Sequence, residues 1–208
     1  MKRAISRAVK AACVATLSIG LAAAQPASAA PLPINNWTAN VTTHIGALVN
    51  ADVPIPPGTF NGSVELTTGA MTGNLELPPA TFTFNALFLV PTTVTFHTEP
   101  TGPTSGTVDI AAGTVNATAT FNVVLDSVGL FGVNVLDTTQ KCKTVTPSVA
   151  TLTGTADIAS NPAVVHLTGN YEVAALDTAA CGWLGSLVSG FTAGPLNTLD
   201  VTLSGALL

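Results

Sequence analysis

From Trp37 to Leu208 apolar and polar residues alternate with a period of two, and Gly, Pro or Asn interrupts the alternation at intervals of roughly eight to twelve residues. A period of two sends successive side chains to opposite faces of a strand, and punctuation at that spacing leaves room for strands rather than for ordinary helices. The pattern predicts an all-β chain, an antiparallel sandwich or barrel of about ten strands.

The clearest strand covers residues 81–90, where Phe82, Phe84, Ala86, Phe88 and Val90 share one side and Thr81, Thr83 and Asn85 the other. The last strand alternates Leu199, Val201 and Leu203 with Thr198, Asp200, Thr202 and Ser204. Pro54-Ile55-Pro56-Pro57-Gly58 reads as a turn. Pro78-Pro79 and Pro100-Thr101-Gly102-Pro103 read as strand boundaries, because proline gives no donor to a ladder. Residues 114–125 and 130–136 read as two separate strands. One segment breaks the period: in residues 180–191, beginning at Ala180, Trp183, Leu184, Leu187, Val188 and Phe191 fall at helical spacing, with Asp177 or Thr178 placed as N-cap. A short helical plug, pinned by Cys181 and capping one end of the β layers, is expected there.

The first residues follow another plan. Lys2, Arg3, Arg7 and Lys10 precede an apolar run over residues 11–24, which closes on Ala27-Ser28-Ala29. These are the three zones of a cleaved signal peptide. The run is shorter than the roughly 20 residues that span a bilayer, so no retained transmembrane helix is expected. Cleavage after Ala29 leaves residues 30–208 as a single secreted or cell-envelope β domain, large enough for a sizeable core.

Cleavage changes the electrostatics. All four of those basic residues leave, and two lysines, Lys141 and Lys143, then face eleven carboxylates for a net charge of −9. With no basic patch to neutralise phosphates, nucleic acid and anionic membrane surfaces are excluded as partners. Charged residues make up 8% of the chain against a usual share of about a quarter, so solubility falls to uncharged polar groups, chiefly the 31 threonines after Ala30. Threonine suits a strand, its branch filling the pleat while its hydroxyl faces water.

Once Cys13 leaves with the apolar run, Cys142 and Cys181 remain as a pair in an oxidising compartment, and a disulfide is the expected state. Metal ligation and a redox pair are the competing readings. Neither has a second cysteine pair or a C-x-x-C, and His44, His97 and His166 are scattered.

No catalytic constellation, cofactor motif or metal loop emerges. His97-Thr98-Glu99 has the H-x-E spacing of zinc deaminases without the P-C-x-x-C that must follow, no G-x-S-x-G occurs, and the carboxylates are spread singly. The apolar excess is more informative. Phe82, Phe84, Phe88, Phe96 and Phe121 either fill a core or line a cavity for an apolar small molecule, and a filled core is expected.

Cys142, Leu167-Thr168-Gly169-Asn170-Tyr171, Cys181-Gly182 and Gly194-Pro195-Leu196-Asn197-Thr198-Leu199 together resemble a group of secreted β-rich proteins of actinobacteria. The resemblance implies a Gram-positive, high-GC origin, export and pairing of the two cysteines, and it carries no activity. The expected function is a non-enzymatic envelope or extracellular module whose role the sequence does not specify, either structural or binding an apolar molecule or a protein partner such as an envelope protein. The alternatives are a pore-forming outer-membrane barrel, for which the aromatic girdles are missing, and then a secreted hydrolase.

Overall fold

The computed structural model describes residues 30–207 apart from 87, 88, 137 and 138; the predicted signal peptide and Phe88 lie outside the described residues. The elements are β1 (Leu32–Ile45), β2 (Ala51–Val64), β3 (Ala70–Glu76), β4 (Ala80–Ala86), β5 (Val90–Pro100), β6 (Thr104–Asp109), β7 (Thr114–Leu130), β8 (Val133–Asn134), β9 (Cys142–Lys143), β10 (Ser148–Asp157), β11 (Ala163–Val173), α1 (Thr178–Cys181), α2 (Trp183–Thr192) and β12 (Gly194–Gly205).

All twelve strands join one antiparallel sheet, and the sheet closes on itself. Around the ring each neighbour pairs with the next: β1, β2, β3, β6, β7, β10, β11, β12 and back to β1, where Thr38 meets Ser204 and His44 meets Thr198. β4 and β5 prolong β3 and β6 beyond the proline pairs, and β5 lies along the second half of β7. The chain therefore runs up and down an eight-stranded barrel in sequence order. Closure leaves the eight-stranded ring without a free edge, and β4, paired with β5 alone, remains as the end strand of the sheet.

Alternation sets the two faces. Trp37, Ala39, Val41, Thr43 and Ile45 of β1 are buried inside, as are Leu199, Val201 and Leu203 of β12. Outside, threonines pair across strands through their hydroxyls, Thr81 with Thr95 at 2.8 Å and Thr83 with Thr93 at 3.1 Å.

Two expectations are corrected. The segment from Pro54 to Gly58 is not a turn but part of β2: Pro56 and Pro57 fall in a bulge between the pairs Ala39–Gly58 and Val41–Ile55, where two residues oppose one and no ladder donor is required. Residues 114–130 form one 17-residue strand instead of ending near Leu125, because β5 continues the pairing out to Leu130, and only Val133 and Asn134 remain as a short return strand.

The ends differ. One carries the turns 65–69, 110–113 and 158–162; at the other lie residues 131–136 and 139–147 together with α1 and α2. Asp177 caps α1 by accepting from the Ala179 amide at 2.9 Å, and Gly182 at φ 60° separates the helices, a left-handed conformation that glycine adopts without strain. Cys181 is bonded to Cys142 on β9, which pairs with β7, so the plug is tied covalently to the barrel wall.

Candidate functional site

An eight-stranded barrel has an interior just wide enough for side chains or one small ligand, so what the inward residues leave unfilled decides its use. At the end bearing the three turns, the inward side chains of the eight strands of the ring leave a chamber of about 170 Å³. Ile34, Trp37, Phe60, Met71, Val115, Ala156, Leu167 and Leu203 line it, and all of its lining residues are apolar. Trp37 lies over Gly205, where a Cβ would clash with the indole, and its Nε1 donates to the Ala206 carbonyl at 3.1 Å. Leu66, Ile110, Ile158 and Leu207 form the mouth, each 36% to 45% exposed.

Beyond Phe60, Met71, Leu167 and Leu203 a second compartment of about 70 Å³ continues along the barrel axis. It ends at the Tyr171 hydroxyl, which is hydrogen-bonded to Thr43 Oγ1; that hydroxyl also donates to the Thr198 carbonyl at 3.2 Å. Burial pushes the Tyr171 phenol above its ordinary pKa, against a smaller opposing effect of the Thr43 bond.

This compartment has a break in its wall. The β3–β6 ladder ends at Gly73 opposite Thr104, and the β4–β5 ladder begins at Ala80 opposite Phe96. Between them residues 74–79 and 97–103 do not pair with each other. Both proline pairs, Pro78-Pro79 and Pro100 with Pro103, fall here, and Leu75, Leu77, Thr98, Pro100, Gly102 and Thr104 line the compartment at this point.

At the helix-capped end aromatic rings occupy the interior. Phe82 stacks on Phe84 at 5.6 Å between centroids, meets Phe96 edge-on at 5.9 Å, and Phe84 lies 5.2 Å from Phe191 of α2. A void of about 40 Å³ lies among them, lined by Phe82 and Phe96 among others, and a more open cleft lies between residues 135, 136 and 140 and residues 179–184. Of the phenylalanines singled out in the sequence, these two face that small void, Phe121 faces the middle compartment and lies 5.8 Å from Tyr171, and Phe84 is packed on other rings. The large chamber is lined by other residues. Its signal in the sequence lies in the turns: Leu66 precedes Thr67-Thr68-Gly69, Ile110 precedes Ala111-Ala112-Gly113 and Ile158 precedes Ala159-Ser160, an aliphatic residue each time where a polar one is usual.

The polar groups on the wall form a clamp. His97 Nδ1 lies 2.9 Å from both carboxylate oxygens of Asp126, its Nε2 is 3.9 Å from Glu99, and Lys141 Nζ donates to Glu99 at 2.6 Å. The Lys141 bond holds the Glu99 carboxyl below its usual pKa, partly offset by desolvation. Both ring nitrogens of His97 thus face carboxylates. Among the described residues no group of three or more His, Cys, Asp and Glu is placed to hold a metal ion, and no helix is long and apolar enough to cross a membrane. Comparison with protein-family models, with curated proteins and with solved structures finds no match.

Proposed function

We propose that residues 30–208 form an exported, non-enzymatic barrel of the cell envelope or extracellular space that binds an apolar molecule in its interior. The observation that carries this reading is the apolar chamber of about 170 Å³ with an exposed apolar mouth. Left empty, a void of that size forfeits about 4 kcal/mol at roughly 24 cal/mol per Å³. An apolar cavity of about 150 Å³ takes up a benzene-sized guest, so this chamber suits a ring or a short run of methylenes.

Export is supported by the three-zone N-terminus and by the Cys142–Cys181 bridge, which belongs in an oxidising compartment. A membrane pore is disfavoured by polarity, since a transmembrane barrel is apolar outside and polar within, the reverse of these threonine-covered walls and apolar interior. A hydrolase is disfavoured because His97 is engaged by Asp126 and flanked by Glu99, while the histidine that does meet a hydroxyl, His166 with Nδ1 3.0 Å from Thr202 Oγ1, lies on the exposed outer face, outside the lining of the apolar chamber.

The test is a titration of delipidated protein with N-phenyl-1-naphthylamine, an uncharged dye that brightens in apolar surroundings and whose naphthyl and phenyl groups would occupy the chamber together with the adjoining compartment of about 70 Å³. Saturable uptake of one dye per chain is expected, and Ala156→Phe, which fills the chamber, should abolish it while thermal unfolding stays cooperative. No uptake by the wild type, together with no co-purifying apolar mass in native mass spectrometry, would overturn the reading.

A further inference from the structure

We propose that the break between β3–β4 and β5–β6 is the portal through which this ligand reaches the interior, and that the ligand is a single-chain amphiphile whose head carries no negative charge. The proposal rests on the binding reading above and adds a route and a head-group chemistry to it.

The route follows from the hydrogen bonds. The ladder from Gly73 opposite Thr104 does not continue to Ala80 opposite Phe96, and the prolines on both sides, Pro78, Pro79, Pro100 and Pro103, have no N–H with which to close it. The break therefore cannot heal by ordinary strand pairing at those positions. There is also room in it: a Cβ added to Gly102 would meet nothing within 4 Å. Behind the break lies the middle compartment, divided from the chamber by Phe60, Met71, Leu167 and Leu203, which line both, and the two volumes of about 70 and 170 Å³ suit one alkyl chain that displaces those side chains rather than two.

The head group follows from the residues that alternate along the two strands at the break. Leu75, Leu77 and Pro100 face inward, while Glu76 and Glu99 occupy the outward positions between the lining residues. Lys141, one of two lysines in residues 30–208, is already engaged by Glu99 at 2.6 Å. A carboxylate or phosphate held at the threshold would be set against Glu76 and Glu99, where the Lys141 ammonium is already bound to Glu99 and Lys143 also acts on Glu99 through space, whereas a hydroxyl head finds the Thr98 and Thr104 side chains in the lining of the compartment.

Stopped-flow mixing with N-phenyl-1-naphthylamine tests the route, and displacement by dodecan-1-ol or dodecanoate tests the head. Gly102→Trp, or Leu77→Trp should the first variant fold poorly, is expected to slow dye association at least about tenfold, while Val149→Glu on the outer face of β10, away from the chamber, leaves it unchanged. Dodecan-1-ol is expected to displace the dye at about a tenth of the dodecanoate concentration in low salt, and Glu76→Gln with Glu99→Gln should narrow that ratio. An unchanged association rate in both tryptophan variants, with slowing by Ile158→Glu, would place the route at the mouth and overturn the portal. Equal displacement by dodecanoate would overturn the head-group assignment. A wild type that takes up no dye would overturn the binding reading itself, a result distinguishable from either.

Discussion

At the capped end the barrel interior is packed by Phe82, Phe84, Phe96 and Phe191 and closed by helices tied to the wall through Cys142 and Cys181, with a void of about 40 Å³ among the rings. At the other end the same strands converge on aliphatic side chains, Trp37 and Phe60, with tight turns in place of a plug, and about 170 Å³ stays unfilled. Hydrophobicity alone does not separate the two ends, because both are lined with apolar residues. The placement of rings and of the covalent tie does. A filled end gives the barrel stability, and the other end is free to stay open at a cost the first can offset.

The disulfide should show the largest effect if the capped end holds the barrel together. The bridge joins cysteines 39 positions apart, which chain entropy values at about 3.9 kcal/mol, so replacing both cysteines by serine should lower unfolding stability by about 2–5 kcal/mol. Denaturant unfolding measures the loss, and hydrogen exchange should place the earliest loosening in residues 174–193. Uniform loosening of both ends would break the comparison.

Truncation of single side chains comes next. Phe96→Ala removes a ring that packs on Phe82 and should cost about 3–5 kcal/mol, whereas Val115→Ala, beside space that is already empty, should cost less than about 1.5 kcal/mol. Filling should act in the opposite direction at the open end. Ala156→Leu occupies the chamber and should stabilise by about 0.5–2 kcal/mol while weakening dye uptake. A destabilised Ala156→Leu would mean that the space there is not free.

Much of the barrel was legible in the alternation. Leu199, Val201 and Leu203 point inward as their spacing requires, and the helical spacing of Trp183, Leu184, Leu187 and Val188 gives α2. The cysteines were legible because only two remain outside the apolar run, and they are bonded. The closing contact of Thr38 with Ser204 was not, since periodicity says which face a residue takes and nothing about which distant strand it meets. The prolines misled in one place and informed in another: Pro56 and Pro57 sit within a strand because a bulge excuses their missing donors, while Pro78, Pro79, Pro100 and Pro103 meet at one break in the wall only after folding. The chamber was hidden for the same reason, its lining being drawn one or two residues at a time from many strands.

The smallest effect tests the boundary between the two ends. Tyr171 lines both the middle compartment and the capped-end void, and it is the chain's one tyrosine, so the whole phenolate ultraviolet signal belongs to it. Burial raises its pKa above the ordinary value of about 10, which means that folding favours the neutral phenol. The stability linked to that proton is complete below the unfolded value near 10 and is lost as pH rises through the higher folded value. In native protein the phenolate absorbance should therefore appear at higher pH than in protein unfolded by guanidinium, and Tyr171→Phe should abolish the difference in alkaline stability while costing about 0.5–1.5 kcal/mol at neutral pH through the lost bond to Thr43. Coincident titration of native and unfolded protein would mean that water reaches the Tyr171 hydroxyl through the break in the wall, and that the dry, filled region begins only beyond it.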